Sequence, residues 1–432
     1  MPIAIAMQRP AWRDTFSALR LHNYRLYVVA QFISNTAGWM QRIAVDWLVL
    51  EITGSVALVG LTIALQFLPT LVMGAYAGVI ADRFPKRGVL LVCTAIGGVL
   101  NLVLAIIAIT GTAQLWAVYS LVLAVGVAQV FDGPARSVFV NEMVGPRHLR
   151  NAISVNASIF HLGALIGPAV SGVLIVAVGS GWAIAINVGA AAIGIVLLLL
   201  IRTNELLVAP RAPSSKGQIR EAGRYILSKP TLFWTMVMVG VVAMFGMPMP
   251  ALLAGIADDV YMTGATGYGL YNSLAAVGAL IGALASARRA SLRLRTIIFG
   301  AVLYGVLLAL TGLSPFYPMF LVLLISVGLS RLLFMTAGET MVQFSSNLAI
   351  RGRVMAFWVM VVVGGQAIGG PLMGFIAETI GPKNAMVVSG AVPALAAIAI
   401  AIVLARSGKL RVAVSPRRGR WVAIVPRAKK AA

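Results

Sequence analysis

Apolar and polar positions alternate along this chain on one long wavelength. Twelve mostly apolar stretches, near 26–50, 56–80, 88–109, 115–135, 152–177, 182–201, 231–254, 267–286, 296–313, 318–339, 354–377 and 384–404, are separated by clusters of Gly, Pro and charge. A bilayer crossing takes about 20 apolar helical residues, and the intervening clusters read as turns. Barrel strands would be about half as long and would alternate in polarity. In lipid a helix has the further merit of pairing every amide within its own segment. The pattern therefore predicts an all-α polytopic membrane protein. The longest internal polar stretch, RTNELLVAPRAPSSKGQIREAGRYILSKP at 202–230, divides the spans six and six. This gives an N-terminal segment 1–25, a six-helix bundle 26–201, a linker 202–230, a second six-helix bundle 231–404, and a basic tail 405–432 that reads as disordered.

Composition agrees with this and adds orientation. The 432 residues are 60% hydrophobic and only 11% charged, against roughly 45–50% and about 25% in ordinary soluble domains. The net charge of +22 would by itself raise nucleic-acid binding, but the placement of the charges excludes it. Of the 34 Lys and Arg, 31 fall in the termini and alternate turns that lie on one side of the membrane. The opposite turns hold only Lys383, together with Glu51, Asp258, Asp259 and Glu378; Arg42 and Arg331 fall inside spans. Basic residues collect on the cytoplasmic side, so both termini are expected there, in a bacterial cytoplasmic (inner) membrane. The first residues, MPIAIAMQRP, do not look like a removable signal peptide. The single cysteine, Cys93, forms no intramolecular disulfide. No phosphate-binding loop, no metal-ligand spacing and no Ser/His/Asp constellation occurs, so neither an enzyme, nor an ATP-driven pump, nor a cofactor or metal is expected.

Chemistry inside the spans is sparse enough to enumerate. In span 1, Gln31, Asn35, Gly38, Arg42 and Asp46 recur every three or four residues and share one arc of a helix. A polar stripe on a spanning helix faces the bundle interior or a water-filled cavity. Arg42 and Asp46 are i,i+4 neighbours, read either as a structural ion pair near the outer surface or as a cavity pair that loosens when Asp46 takes a proton. Asp46 is the first candidate for proton coupling, with Asp132 and Glu339 behind it. Asp132 and Arg136 fall near the cytoplasmic end of span 4, Arg331 and Glu339 in the inner half of span 10. His161, one turn before Gly163, is either a proton carrier or a hydrogen-bonded buried histidine. Gln66, Gln129, Asn156 and Gln366 line a cavity or bond across helices. Span 7 is rich in Met, with Pro248 and Pro250 near its outer end. It reads as adaptable filler with a broken end that takes part in gating.

The halves also echo each other at an offset of about 203 residues. Gly74–Gly78 answers Gly278–Gly282, Gly167-Pro168 answers Gly370-Pro371, Arg150 answers Arg353, and Arg136 answers Glu339. Parallel six-helix repeats with a substrate site between them are an architecture of secondary transporters. The opposite charges at 136 and 339 then read as a latch between halves, or as local satisfaction of helix ends. The glycines of span 11, Gly364, Gly365, Gly369, Gly370 and Gly374 beside Pro371, read as a helix that bends or slides.

The turn GVIADRFPKR, with Gly78, Asp82, Arg83, Lys86 and Arg87, resembles the G-x-x-x-D-R-x-G-R-R/K signature of the major facilitator superfamily, with Pro85 in the glycine slot. Span 5 carries Gly163, Gly167, Pro168 and Gly172, and is similar to the superfamily's antiporter signature G-x-x-x-G-P-x-x-G-G, with Ser171 replacing one glycine. NTAGWMQRIAVDWLVLEITGS, DGPARSVFV and RGRVMA resemble the enterobactin-exporter and bacterial drug-efflux branch. The resemblance covers nearly the whole chain except the tail. It implies twelve helices in two pseudo-symmetric bundles, and a proton-driven antiporter that exports a small amphipathic molecule, a drug or siderophore, by alternating access. It also implies that the turn holding Asp82 clasps the start of span 11, near Arg351 and Arg353, when the transporter faces outward. The partners are then substrate, protons and lipid, without a required protein partner. A proton-symporting nutrient importer and a transporter-fold receptor or scaffold remain as alternatives.

Overall fold

The computed structural model describes residues 17–207, 218–286, 294–347, 350–406, 410–413 and 423–426; the side chains of 75–83, 150, 218–220 and those after 404 lie outside the described residues. A 3-10 turn, Ser17–Arg20, leads into α1 (His22–Thr53), α2 (Val56–Arg83) and α3 (Lys86–Ile109). A 64-residue helical run, Leu115–Val178, breaks at Gly145, with φ 64 and ψ 177. A positive φ suits glycine, and the following Pro146 disfavours helical geometry in the residue before it. The run thus yields two spans, α4 (Leu115–Leu149) and α5 (Asn151–Val178). There follow α6 (Ser180–Leu199), a short amphipathic helix α7 (Gln218–Ser228), and α8 (Pro230–Val260). The chain closes with α9 (Gly264–Ser286), α10 (Leu294–Gly312), α11 (Tyr317–Ser345), α12 (Arg351–Ile380) and α13 (Pro382–Arg406). In the tail, Leu410–Ala413 pairs antiparallel with Ala423–Pro426, a short ladder in a segment expected from its composition to be disordered.

Eleven of these helices are long and apolar enough to cross a bilayer. The twelfth, α1, has 32 residues, ample length at about 1.5 Å per residue, and its polar stripe is what dilutes its apolarity. The outward faces carry large apolar side chains such as Val72, Val92, Trp116, Val176 and Phe375, all more than half exposed, as a lipid-facing surface requires.

The chain divides into two compact units, Met1–Leu48 with Val72–Ser214, and Val49–Leu71 with Ser215–Ala432. This differs from a six-and-six partition in one stretch, the end of α1 and the first half of α2, which go with the second unit. The physical reason is side-chain-free packing. A Cβ at Gly60 would lie 2.2 Å from the Gly370 carbonyl oxygen, and one at Gly374 would lie 2.7 Å from Ala57 Cα. Glycine removal of side chains lets helix backbones approach this closely.

In the first unit a core of Tyr24, Tyr27, Leu90, Phe139, Met143, Ala152, Leu198 and Ile201 gathers the basic ends of α1, α3, α4, α5 and α6. Asn23 fixes the exit from α6 by a reciprocal pair with the Arg202 backbone, 2.9 Å each way. In the second unit, α9 and α11 meet at Gly278 and Gly328, where an added Cβ would lie 1.8 Å from the Ile325 and Ala275 carbonyl oxygens respectively.

Candidate functional site

The site is built on α1, α4 and α5 of the first unit. On α4, Asp132 and Arg136 are one helical turn apart and form a bidentate pair, Nε to Oδ2 at 2.8 Å and Nη2 to Oδ1 at 2.7 Å. The remaining Arg136 nitrogen donates to Gln31 Oε1 of α1. Both charged side chains are about a quarter exposed. A planar guanidinium with its fork filled by one carboxylate and its third nitrogen on an amide is held in one orientation. Tyr27, one turn before Gln31, packs edge-on against Phe139. Tyr24 donates to the Ala152 carbonyl at 3.0 Å and to Asn156 Oδ1 at 3.3 Å, which ties α1 to α5.

Arg136, Gln31, Tyr27 and Asn156 line a cavity of about 1210 Å³ whose other walls include Phe84, Lys86, Glu142 and Phe160. Its cations are already engaged. The Lys86 ammonium donates to the Phe84 carbonyl at 3.3 Å and its charge acts on Glu142. Arg87 donates to the Leu198 and Leu199 carbonyls at 2.8 and 2.7 Å, capping the negative end of α6. The α2–α3 turn needs no glycine at Pro85, which sits at φ −57 and ψ 125 as the residue before α3. Gly78, Asp82, Arg83 and Arg150 lie outside the described side chains, so the clasp on span 11 has no structural account here.

The span 5 signature is accounted for by packing against α1. A Cβ at Gly163 would lie 2.2 Å from Asn35 Nδ2, and one at Gly167 would lie 2.6 Å from Trp39 Cβ and 2.9 Å from the Thr36 carbonyl oxygen. Ser171, one turn further on, donates its buried hydroxyl to the Met40 carbonyl at 2.9 Å. Pro168 and Gly172 are buried in the same helix. Asn35 donates to the Ile159 and Phe160 carbonyls at 3.0 and 3.3 Å. This seam, rather than a cavity wall, is where the structure places Asn35.

Asp46 is 4% exposed in α1, and the Arg42 guanidinium lies 5.0 Å from the Trp39 ring centroid. His161 is half-buried on α5, edge-on to Phe160. Gln66 is half-buried on α2, and Gln129 is exposed on α4.

In the second unit, Gln343 of α11 donates to Glu339 at 3.3 Å, and Gln366 of α12 donates to the Val362 carbonyl of its own helix. Arg331 is half-buried on α11. Arg353 pairs with Glu221 of α7 at 2.6 Å. Beside it Tyr225 accepts from Lys229 Nζ at 2.5 Å and from the Asn347 amide at 3.1 Å. The hydrogen bond and charge of Lys229 lower the Tyr225 pKa. The glycines of span 11 serve two faces: Gly365 and Gly369 lie against Ala243 and Met244 of α8, Gly370 and Gly374 against α2. The repeat partners Gly167 and Gly370 thus meet different helices, α1 and α2, and Pro371 continues α12 without breaking it. Among the described residues no three His, Cys, Asp or Glu cluster as a metal site.

Two polar groupings had no signal in the sequence pattern beyond isolated amides and a turn carboxylate. Gln41, Asn101 and Asn187 form an amide chain joining α1, α3 and α6. Glu378 of α12 accepts from the Ser55 hydroxyl at the start of α2.

Comparison with known proteins bears on the whole chain. The model of the family described as "Transmembrane secretion effector" matches residues 13–419. The enterobactin exporter EntS of Shigella flexneri is 28% identical over 392 residues, 89% of this chain and 92% of that protein. EntS of Citrobacter koseri is 28% identical over 395 residues with the same coverage. Among solved structures, a bacterial homologue of the human lysosomal transporter Spinster, inward-facing and unoccupied, superposes with a TM-score of 0.69 at 16% identity, over 89% of this chain and 98% of that one. The nucleoside transporter NupG gives 0.69 at 14% identity, over 89% and 99%. At such identities these structures speak for the fold alone.

Proposed function

Because the chain belongs to the transmembrane secretion effector family of major facilitator transporters, we propose that it is a proton-coupled antiporter. It exports a small amphipathic molecule, a drug or siderophore, from the cytoplasm by alternating access. The exporter direction is supported by the likeness to enterobactin exporters over most of the chain. The charge asymmetry supports an inner-membrane orientation with both termini in the cytoplasm.

The observation that carries proton coupling is the Asp132–Arg136 pair. It sits in a helix long and apolar enough to span the membrane, its arginine lines the cavity, and both side chains are about a quarter exposed. Intramembrane ionisable pairs facing a cavity mark ion pathways. A proton on Asp132 removes the charge that holds the Arg136 fork, and Arg136 is then available to a substrate acceptor or to Gln31 alone. Exposure ranks Asp132 ahead of Asp46, whose side chain needs an opening of the unit before it meets water.

The test is compound-induced pH change in inverted vesicles with an acidified lumen, across a panel of dyes, antibiotics and siderophores. Antiport predicts proton loss from the lumen when a transported compound is added. Asp132→Asn abolishes that signal. Asn keeps an acceptor oxygen for the Arg136 fork, and losing one charge-assisted bond costs about 1.5–3 kcal/mol, so the variant's melting temperature in detergent is read beside the signal. If Asp132→Asn transports at the parental rate with the same pH dependence, the pair does not carry the proton.

A further inference from the structure

Glu378 lies in the last turn of α12, at the end opposite the basic residues. Its carboxylate accepts from the Ser55 hydroxyl and from the Ala57 amide at 3.4 Å. Ser55 in turn accepts from the Leu58 amide at 3.1 Å, the ordinary side-chain cap of a helix start. Two of the unpaired first-turn amides of α2 are therefore covered, one by its own cap and one by a carboxylate 321 residues away in the chain. The negative group also faces the positive end of the α2 dipole.

Just inside this contact, the helices touch at Gly60, Gly370 and Gly374, where an added Cβ would first meet backbone atoms. That seam supplies shape but no charge. The cap supplies a polar fastening at an exposed position, where water can replace each bond when it opens. Charged groups on neighbouring elements are Glu51 at the end of α1, Asp258 and Asp259 on α8, and Lys383 at the start of α13. The Lys383 ammonium is given to the Ser314 carbonyl at 2.6 Å and lies 5.7 Å from the Tyr261 ring. Glu378 is bonded to Ser55 and Ala57, at the entry to α2. That helix also contains Pro69, two residues before Leu71, where the chain passes from the second unit into the first.

We propose that Glu378 is a gating residue of the outer side: seated on the N-terminus of α2, it holds the first half of that helix on α12, and its release lets the two part. The proposal rests on the alternating-access reading for its place in the cycle.

The test uses the full chain with Cys93→Ser and one reporter, Ile63→Cys, at a position 6% exposed whose Cβ faces Gly370. Labelling by a charged, membrane-impermeant thiol reagent is followed from outside. Glu378→Ala raises the labelling rate about tenfold, the scale of one lost charge-assisted hydrogen bond. Glu378→Gln, which keeps an acceptor, gives a smaller rise. A control cysteine, Ala301→Cys in α10, 1% exposed, stays unlabelled in each background. Equal rates in parent, Glu378→Ala and Glu378→Gln overturn the proposal. So does equal acceleration at Ala301→Cys, which marks general loosening. The readout needs no substrate. Faster labelling in vesicles that show no compound-induced pH change therefore counts against proton antiport and not against the gate.

Discussion

At the scale of single residues, the spacing of Gly163, Gly167 and Ser171 on α5 decides how near α1 comes. A methyl group at 167 would lie 2.6 Å from Trp39 Cβ and 2.9 Å from a carbonyl oxygen, and neither neighbour is the free end of a flexible side chain. Gly167→Ala is therefore expected to cost about 1–3 kcal/mol, the usual penalty of overpacking, read as a lower melting temperature in detergent. Ser171→Ala removes one buried hydroxyl bond to Met40 and is expected to cost about 1 kcal/mol. Equal melting temperatures for parent and Gly167→Ala would show that α1 and α5 are separable at this point. The bare stripe was legible in the sequence because small residues one turn apart can only mean close approach. Its partner was not, since such a stripe does not say which helix fills it. The same gap explains Asn35. Its place in the polar stripe of α1 was readable, but the α5 carbonyls that take its protons come from more than 120 residues away.

At the scale of elements, α8 shows what two prolines do to a buried helix. Pro248 and Pro250 have no N–H to give the carbonyls four residues earlier, at Met244 and Gly246. The backbone answers with a π-helical turn over Val242–Gly246, and other helices donate to the Gly246 carbonyl and to its neighbour at Phe245. Tyr304 of α10 donates to the Gly246 carbonyl at 2.8 Å, and Ser389 of α13 donates to Phe245. The expected broken end is thus a tightly buried bulge, with Met236, Met238 and Met249 no more than 5% exposed. Tyr304→Phe leaves a buried carbonyl unpaired at a cost of about 1–3 kcal/mol. Pro250→Ala restores a donor for the same carbonyl, so the double variant is expected to melt above Tyr304→Phe alone. A double variant no more stable than the sum of the two single losses would place the tyrosine's contribution in its ring. The prolines named the Gly246 carbonyl as an orphan in the sequence; its donor, 58 residues away, was fixed only by how the helices assemble.

At the scale of the whole molecule, topology is written in charge and in apolar length, and both were legible because lipid punishes exceptions at every span. What pattern could not show is the membership of residues 49–71, which follow the glycine seam into the second unit rather than the order of the chain. The tail is the largest block of charge outside either unit's helices. After Ala405 it holds nine Lys and Arg, and its paired strands, Leu410–Ala413 and Ala423–Pro426, follow the last span. Orientation by basic residues sums over all turns on a side, and 22 of the 31 on that side precede the tail, against Lys383 alone in the opposite turns. A chain ending at Ala405 is therefore expected to insert with unchanged topology, judged by protease or thiol access at each turn. The family signatures and the cavity lined by Arg136 also precede that point, so export in the vesicle assay is expected to stay within about twofold of the parent, the scale of a change well under 1 kcal/mol. Loss of export from a correctly inserted truncation would move the functional weight to the basic tail and favour a receptor or scaffold that merely keeps the transporter fold.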